Sequence, residues 1–355
     1  MLRDLHYNFG TKLLNTIEPE LAHRLAISFL KHFYLSNSIQ TENNILKTKI
    51  CDLEIMNPIG LAAGFDKNAE IFNPALSLGF GFTEVGTITP EPQYGNKRPR
   101  LFRINEELAL INRMGFNNIG MKKIRANLSK EKKGIVGINI GANAKSINKI
   151  LDYSKVFEFL ASYFDYVTIN VSSPNTENLR DLQKPENLEK ILVNIQSLNL
   201  QLKKRLPIFI KLSPDLSLRN IEEILNAGEN CAISGIIATN TTTSRESLAE
   251  KYTSVLGGLS GKPLLQKSNK ILEHIAKEKK KKTILIGTGG IFSANDLYEK
   301  IKLGASAVQI YTAFIYQGPR LLTKLKKELE SLILADGYKN LNEAIGSRLN
   351  TKRES

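Results

Sequence analysis

An α/β fold is predicted, a (β/α)8 TIM barrel with an N-terminal helical extension, and three observations predict it. From about residue 50 onward, short apolar runs rich in β-branched residues alternate with helical patterns. There are eight such runs. Small and polar residues follow nearly every one of them. A parallel strand pair needs a crossover connection, and a helix must cover its outer face. Eight buried strands alternating with helices therefore close into a barrel.

In chain order the runs are residues 58–62, 81–85, 135–140, 166–171, 208–212, 235–238, 283–286 and 307–311. Helical patterns follow most of them, among them 187–204, 218–227, 264–277 and 294–302. The long connection over residues 87–133 carries Pro90, Pro92, Gly95 and Pro99, so part of it is expected as an excursion over the barrel mouth. No repeat of 20–50 residues is visible, which excludes a solenoid.

Residues 1–40 stand apart, with three of the four histidines and two helical patterns separated by Pro19. In the second pattern Leu21, Leu25, Phe29 and Phe33 recur every four residues beside Ala22, Ala26 and Leu30, flanked by Arg24 and Lys31. This is an amphipathic pair too short and too charged to span a bilayer. It either docks on the main core or presents a surface to a membrane. The chain thus divides into a helical segment 1–45, a barrel 46–340 and a tail 341–355.

Composition narrows the classes without choosing among them. The 355 residues, 42% hydrophobic, suffice for one large core. Cys51 and Cys231 have neither CxxC spacing nor clustered histidines, so buried thiols are expected, with no disulfide framework and no metal. The net charge of +14 suits nucleic acid, anionic lipid or a small anionic substrate alike. Much of it is dispersed lysine, and the run 277–282 is expected as a solvated helix end. The N-terminus lacks the apolar core and cleavage site of a signal peptide.

Barrel chemistry belongs at the C-terminal ends of the strands. There the sequence offers Ala63-Gly64-Phe65-Asp66-Lys67, Gly86-Thr87, Asn139, Asn170 through Thr176, Lys211, Thr239 through Thr242, Gly287 through Gly290, and Tyr311-Thr312. One strand-end asparagine is usually a turn former. Asn139, Asn170 and Asn240 share one rim, and each amide offers a donor and an acceptor to a planar heterocycle. Lys211, inside the apolar run Ile-Lys-Leu, is costly to bury without an anionic partner. The loops after runs seven and eight bring glycine N–H groups where barrels often hold phosphate. The stretch 257–263 is not a P-loop, because Pro263 stands where Ser or Thr would bind Mg²⁺.

These residues resemble a known family. Gly60-Leu-Ala-Ala-Gly-Phe-Asp-Lys67-Asn, Glu84-Val-Gly-Thr87-Ile-Thr-Pro90, Asn112-Arg-Met-Gly-Phe-Asn117-Asn and Asn170-Val-Ser-Ser173-Pro-Asn175-Thr are similar to dihydroorotate dehydrogenases. So are Lys211-Leu-Ser-Pro-Asp215, Thr239-Asn-Thr-Thr242, Gly257-Gly-Leu-Ser-Gly261 and Gly287-Thr-Gly-Gly290-Ile. The resemblance spans residues 50 to about 335 and implies FMN at the barrel mouth. It assigns the flavin to Ala63, Gly64, Phe65, Asp66, Lys67, Thr87, Asn139, Asn170, Lys211, Thr239, Gly261, Gly290, Tyr311 and Thr312. It assigns dihydroorotate to Lys67, Asn112, Arg113, Met114, Gly115, Phe116, Asn170, Asn175, Asn240 and Thr241, with Ser173 as the catalytic base. One departure is Ala142, where relatives usually carry a basic residue.

Relatives that use soluble acceptors carry cysteine in place of Ser173. Serine there, with the N-terminal helices, implies the quinone-reducing class. The resemblance further implies a monomer at the cytoplasmic face of the bacterial inner membrane, touching lipid peripherally and serving pyrimidine synthesis. Another FMN barrel reductase is the nearest rival, but it would lack the combination of 112–117 with 170–176. An RNA-binding protein would need a basic-aromatic stripe, and none is visible.

Overall fold

The computed structural model describes residues 10, 13–33, 44–129, 131–177, 179–246 and 248–350. The first of the two expected N-terminal helical patterns falls largely outside these residues. The second is the helix Pro19–Phe33, with Glu20 in its first turn and Lys31 and His32 in its last, the order the helix dipole favours.

An antiparallel hairpin follows, β1 (Thr48–Ile50) and β2 (Leu53–Ile55). Then come β3 (Ile59–Leu61), β4 (Phe82–Ile88), β5 (Leu101–Ile104), β6 (Ala109–Asn112) and β7 (Ile135–Ile140). After these lie β8 (Tyr166–Asn170), β9 (Ile208–Leu212), β10 (Gly235–Ala238), β11 (Gly258–Gly261), β12 (Ile284–Thr288) and β13 (Ala307–Ile310). Eight of them close into a barrel in the order β3-β4-β7-β8-β9-β10-β12-β13, every pair parallel. Each coincides with one of the eight expected runs to within three residues at either end. The outer helices include Pro185–Leu200, Leu218–Asn230, Leu265–Glu278 and Ala294–Lys302, again where the sequence pattern puts them.

Five strands were not expected. β5, β6 and β11 form an antiparallel sheet built partly from the long connection after β4. β11 falls in the glycine-rich stretch 257–263, which reads as a loop in sequence. These strands are three or four residues long, and β6 pairs with β11 across more than 140 residues. No local period announces such a pairing.

The barrel interior is layered. At its lower end Phe82, Tyr166, Phe209, Ile237, Ile286 and Ala307 pack with Ile50, Leu53 and Ile55 of the hairpin, which plugs it. Gly137 makes room for Tyr166, because a Cβ there would lie 2.1 Å from the ring. A larger apolar shell joins the outer faces of the strands to the helices. The cysteines are free and half-buried. No described helix is long and apolar enough to cross a membrane.

Candidate active site

Alternate residues of a barrel strand face inward, and the inward side chains stack in layers. β8 places Tyr166 low, Thr168 above it and Asn170 at the rim, all buried. β4 places Glu84 inside, fully buried, and β9 places Lys211 at its upper end.

Glu84 is the hub of the upper layer. One of its oxygens accepts from Asn139 Nδ2 at 2.8 Å. The other accepts from Tyr166 Oη at 3.1 Å, Thr168 Oγ1 at 3.1 Å and Gln309 Nε2 at 2.8 Å. Asn139 Oδ1 in turn accepts from Thr87 Oγ1 at 2.6 Å and Asn170 Nδ2 at 3.0 Å. Asn170 Oδ1 accepts from Ser172 Oγ at 3.2 Å, and Ser172 Oγ accepts from Asn240 Nδ2 at 2.9 Å. The three rim asparagines thus form one network, and it fixes which way each amide faces.

Above this network opens a cleft at the mouth of the barrel. One part of its wall is charged and amide-rich, with Lys67, Asn112, Ser173, Asn175, Asn240 and Thr241. Another part is small and close, with Gly261, Gly289, Gly290 and Thr312. Gly261 and Gly290 have φ of +105° and +80°. A Cβ at Gly290 would lie 2.4 Å from Leu265 Cα, and one at Gly261 would lie 2.3 Å from the Leu108 carbonyl oxygen. Only glycine fits either position.

Lys211 makes no hydrogen bond among the described residues although it is only 6% exposed. Burial lowers its pKa, and the Glu84 carboxylate opposes that. Lys67 is likewise without a hydrogen bond among the described residues. Burial brings its pKa down to about 8, with Glu20 pulling up and Arg100 pushing down. Ser173 is buried, and its Oγ accepts from the Asn175 amide N–H at 3.3 Å. Asn175 Nδ2 donates to Asn112 Oδ1 at 3.1 Å, which ties the Ser173 loop to β6.

Four expected residues do not line the cleft. Phe65 is buried edge-on between His23, Tyr311 and Phe314. Asp66 turns away to accept from the N–H groups of Glu70 and Ile71, both at 2.8 Å. Asn139 lies beneath the cleft and orients Thr87 and Asn170. Arg113 stacks over Phe102 at 5.4 Å and donates to the Pro99 carbonyl. The other expected residues come together in the cleft. Ala142 is fully buried, and beside it Asn143 accepts from the Glu91 N–H and donates to Thr89 Oγ1 and Gln93 Oε1.

Sequence reasoning missed Glu84 and Gln309, although both lie in expected strands. The argument applied to Lys211, that a charge inside a buried run needs a partner, applies equally to Glu84. It also missed the N-terminal helix as part of the wall. Glu20 and His23 line the cleft. Glu20 accepts from Arg100 Nη2 at 2.7 Å, Arg100 Nε at 3.1 Å and Arg98 Nη2 at 2.9 Å. Those bonds hold its pKa down to about 2. Burial, with the Lys67 charge behind it, brings His23 down to about 3, so the imidazole is neutral. The rest of the helix has two apolar faces. Ala22 and Leu30 are buried, while Leu21, Leu25 and Phe29 are 39–49% exposed.

Residues 45–333 match the family described as dihydroorotate dehydrogenase. A relative from Bartonella henselae, named dihydroorotate dehydrogenase (quinone), is 44% identical over 338 residues, covering 94% of this chain and 93% of its own. One of the same name from Christiangramia forsetii is 43% identical over 322 residues, covering 88% and 95%. The crystal structure of the ligand-free Eimeria tenella enzyme superposes with a TM-score of 0.89 at 36% identity, covering 93% of this chain and 99% of that one. The same enzyme in complex with ferulenol gives 0.88.

Proposed function

This chain belongs to the dihydroorotate dehydrogenase family, and we propose that it oxidises (S)-dihydroorotate to orotate with FMN and passes the electrons to a membrane quinone, in de novo UMP synthesis. The observation that carries this reading is the single cleft with an amide- and lysine-rich wall and a glycine cradle. The first suits a planar carboxylate-bearing ring, and the second suits a phosphate.

FMN fits the residues present. Thr239 Oγ1 and Gln309 Oε1 are buried without a hydrogen-bond partner in the structure, and both residues line the cleft. A buried polar group left unpaired is costly, so these atoms suit a polar ring. Ala63, Gly64, Lys67, Thr87, Asn170, Lys211, Thr239, Gly261, Gly290, Tyr311 and Thr312 would hold the cofactor. FMN, when bound, accepts the hydride and relays the electrons to quinone.

The chain's own residues do the rest. Lys67 pairs with the substrate carboxylate, while Asn112, Asn175, Asn240 and Thr241 hold the ring by its amide edges. Ser173 takes the proton from the carbon next to the ring carbonyl. A serine hydroxyl is a weak base, so it must pass a proton on as it accepts one. Water or Thr176 relays that proton; Thr176, three residues along the same loop, has a buried Oγ1 without a hydrogen-bond partner in the structure. Lys211 would supply positive charge beside the bound cofactor ring and so stabilise negative charge there.

Quinone approaches along the N-terminal helix, where Glu20 and His23 border the cleft. The outward stripe of that helix rests on lipid at the cytoplasmic face of a bacterial inner membrane. Segment 1–45 is then the membrane and quinone segment, 46–340 the FMN-binding barrel and 341–355 a tail. The enzyme works as a monomer and without nucleic acid. Purified protein should be yellow and release FMN. Dihydroorotate should bleach it and a quinone should restore the colour. Recolouring by NAD⁺ or fumarate as fast as by quinone would overturn the acceptor class.

A further inference from the structure

We propose that Lys300 is a positioning residue for phosphate, the buried cation that makes the Gly289–Gly290 loop select a phosphorylated flavin over the unphosphorylated one. The inference rests on the FMN reading above. Lys300 lies in the helix Ala294–Lys302, behind the barrel wall and outside the cleft, and is fully buried. Its stem crosses Gly287 of β12, where a Cβ would come within 3.0 Å of the lysine Cδ.

The ammonium makes no ion pair among the described residues. Its Nζ donates to Ser268 Oγ at 2.8 Å and to Asn269 Oδ1 at 2.7 Å. Both acceptors are neutral, so the charge is hydrogen-bonded but not neutralised. A buried cation without a counterion is expensive, and an anion held close by would offset that cost. Burial brings its pKa down to about 7, with Asp296 and Glu299 of its own helix opposing.

The connection to the cleft runs through Ser268. Its Oγ donates at 2.9 Å to the Gly289 carbonyl, and also lies 2.9 Å from the Leu265 carbonyl. The Gly289 carbonyl belongs to the same peptide unit as the Gly290 N–H, and both glycines line the cleft. A cation that polarises Ser268, and Ser268 the carbonyl, makes the N–H on the other edge a better donor. An anion held by that loop is stabilised by the polarised peptide and by the field of the charge behind it. Riboflavin brings no anion and gains neither.

Flavin is removed from the full-length protein, and FMN and riboflavin are titrated separately by fluorescence quenching. Lys300→Met should weaken FMN by roughly tenfold or more, the scale of one charge acting through a protein interior. Riboflavin affinity should stay within about threefold, on the same argument. Lys300→Arg should restore much of the preference. Lys300→Gln keeps hydrogen bonding without charge and substitutes if the methionine variant does not fold. Equal loss of both ligands would mean that Lys300 only packs, and no loss of FMN would mean the same. A wild-type protein that binds riboflavin as tightly as FMN would also overturn the proposal. A wild-type protein that binds neither would overturn the FMN reading on which it rests.

The pH dependence gives a second readout. From the neighbouring helix Leu265–Glu278 the group faces Ser268 and Asn269, which do not titrate. On its own helix Asp296 accepts from the N–H groups of Phe292 and Ser293, and Glu299 pairs with Arg348. Between about pH 7 and 9 the wild type should therefore lose FMN affinity as Lys300 deprotonates. Lys300→Met should be flat over that range, and an identical slope in both would defeat the idea.

Discussion

The lower and upper barrel are buried to similar depth but hold opposite chemistry. Below, Phe82, Tyr166, Phe209 and Ile237 close on the hairpin as a packed apolar plug. Above, Glu84, Asn139, Asn170 and Lys211 are buried in the same enclosure. The same strands build both layers. β9 contributes Phe209 to the lower and Lys211 to the upper, two positions apart. The lower layer is complete by itself. Among the described residues the upper one still has Lys211 without a hydrogen bond, and unpaired polar atoms at Thr239 and Gln309. One layer supplies stability, and the other is held ready for a ligand.

The sharpest test is to remove one side chain from each layer. Phe209→Ala should destabilise the fold by about 3 to 5 kcal/mol, the usual result for a large ring lost from a core. Per folded molecule it should leave dihydroorotate-driven bleaching unchanged. Denaturant unfolding and stopped-flow absorbance measure the two separately, and a large loss of bleaching in the folded fraction would break the division of labour.

Ser173→Ala should do the reverse. Bleaching should slow by about 100-fold, the scale of a lost general base. FMN content and unfolding midpoint should stay near wild type. Normal bleaching in this variant would remove Ser173 from the mechanism.

Lys67→Ala should cost about tenfold or more in kcat/KM, as one charged hydrogen bond contributes roughly 1.5–3 kcal/mol. The wild type should also show a pH signature. With its pKa near 8, Lys67 is charged below that value and neutral above it. Affinity for the substrate carboxylate should weaken as pH rises through about 8, most visibly in KM. Stability runs the other way. The folded pKa lies below the ordinary 10.5, so the charge opposes folding, and that penalty fades as pH climbs from about 8 to 10.5. A KM rise of the same size in Lys67→Ala would assign the effect elsewhere.

The smallest effect on the chemistry belongs to the outward face of the N-terminal helix. Replacing Leu21 and Leu25 by Asp should leave bleaching within about twofold, as is usual for exposed positions away from a site. Liposome binding and recolouring by long-chain quinone should fall. Flotation with anionic vesicles decides, and undiminished binding would return this face to plain solvent.

The eight barrel strands were legible because a fully buried strand must be apolar on both faces, which leaves continuous runs between helical patterns. The rim was legible because strand ends carry chemistry in this architecture. The small sheet β5-β6-β11 was not, because its pairings join distant, short segments. The turning of Asp66 toward Glu70 and Ile71 was equally hidden, because a carboxylate beside a lysine reads the same whether it faces a ligand or caps a turn.

Local pattern by itself determined the barrel, its eight strands, and the placing of Ser173, Lys67, Lys211 and the asparagines at one rim. Tertiary structure alone decided how those groups are wired. Glu84 became the hub of the upper layer only because closure brings β4, β7, β8 and β13 around one axis. The N-terminal helix became part of the cleft only because Glu20 meets Arg98 and Arg100 from a loop almost eighty residues away. Periodicity reports which face a side chain takes, since that depends on its own strand. Partners across a closed barrel depend on closure, and no window of sequence contains it.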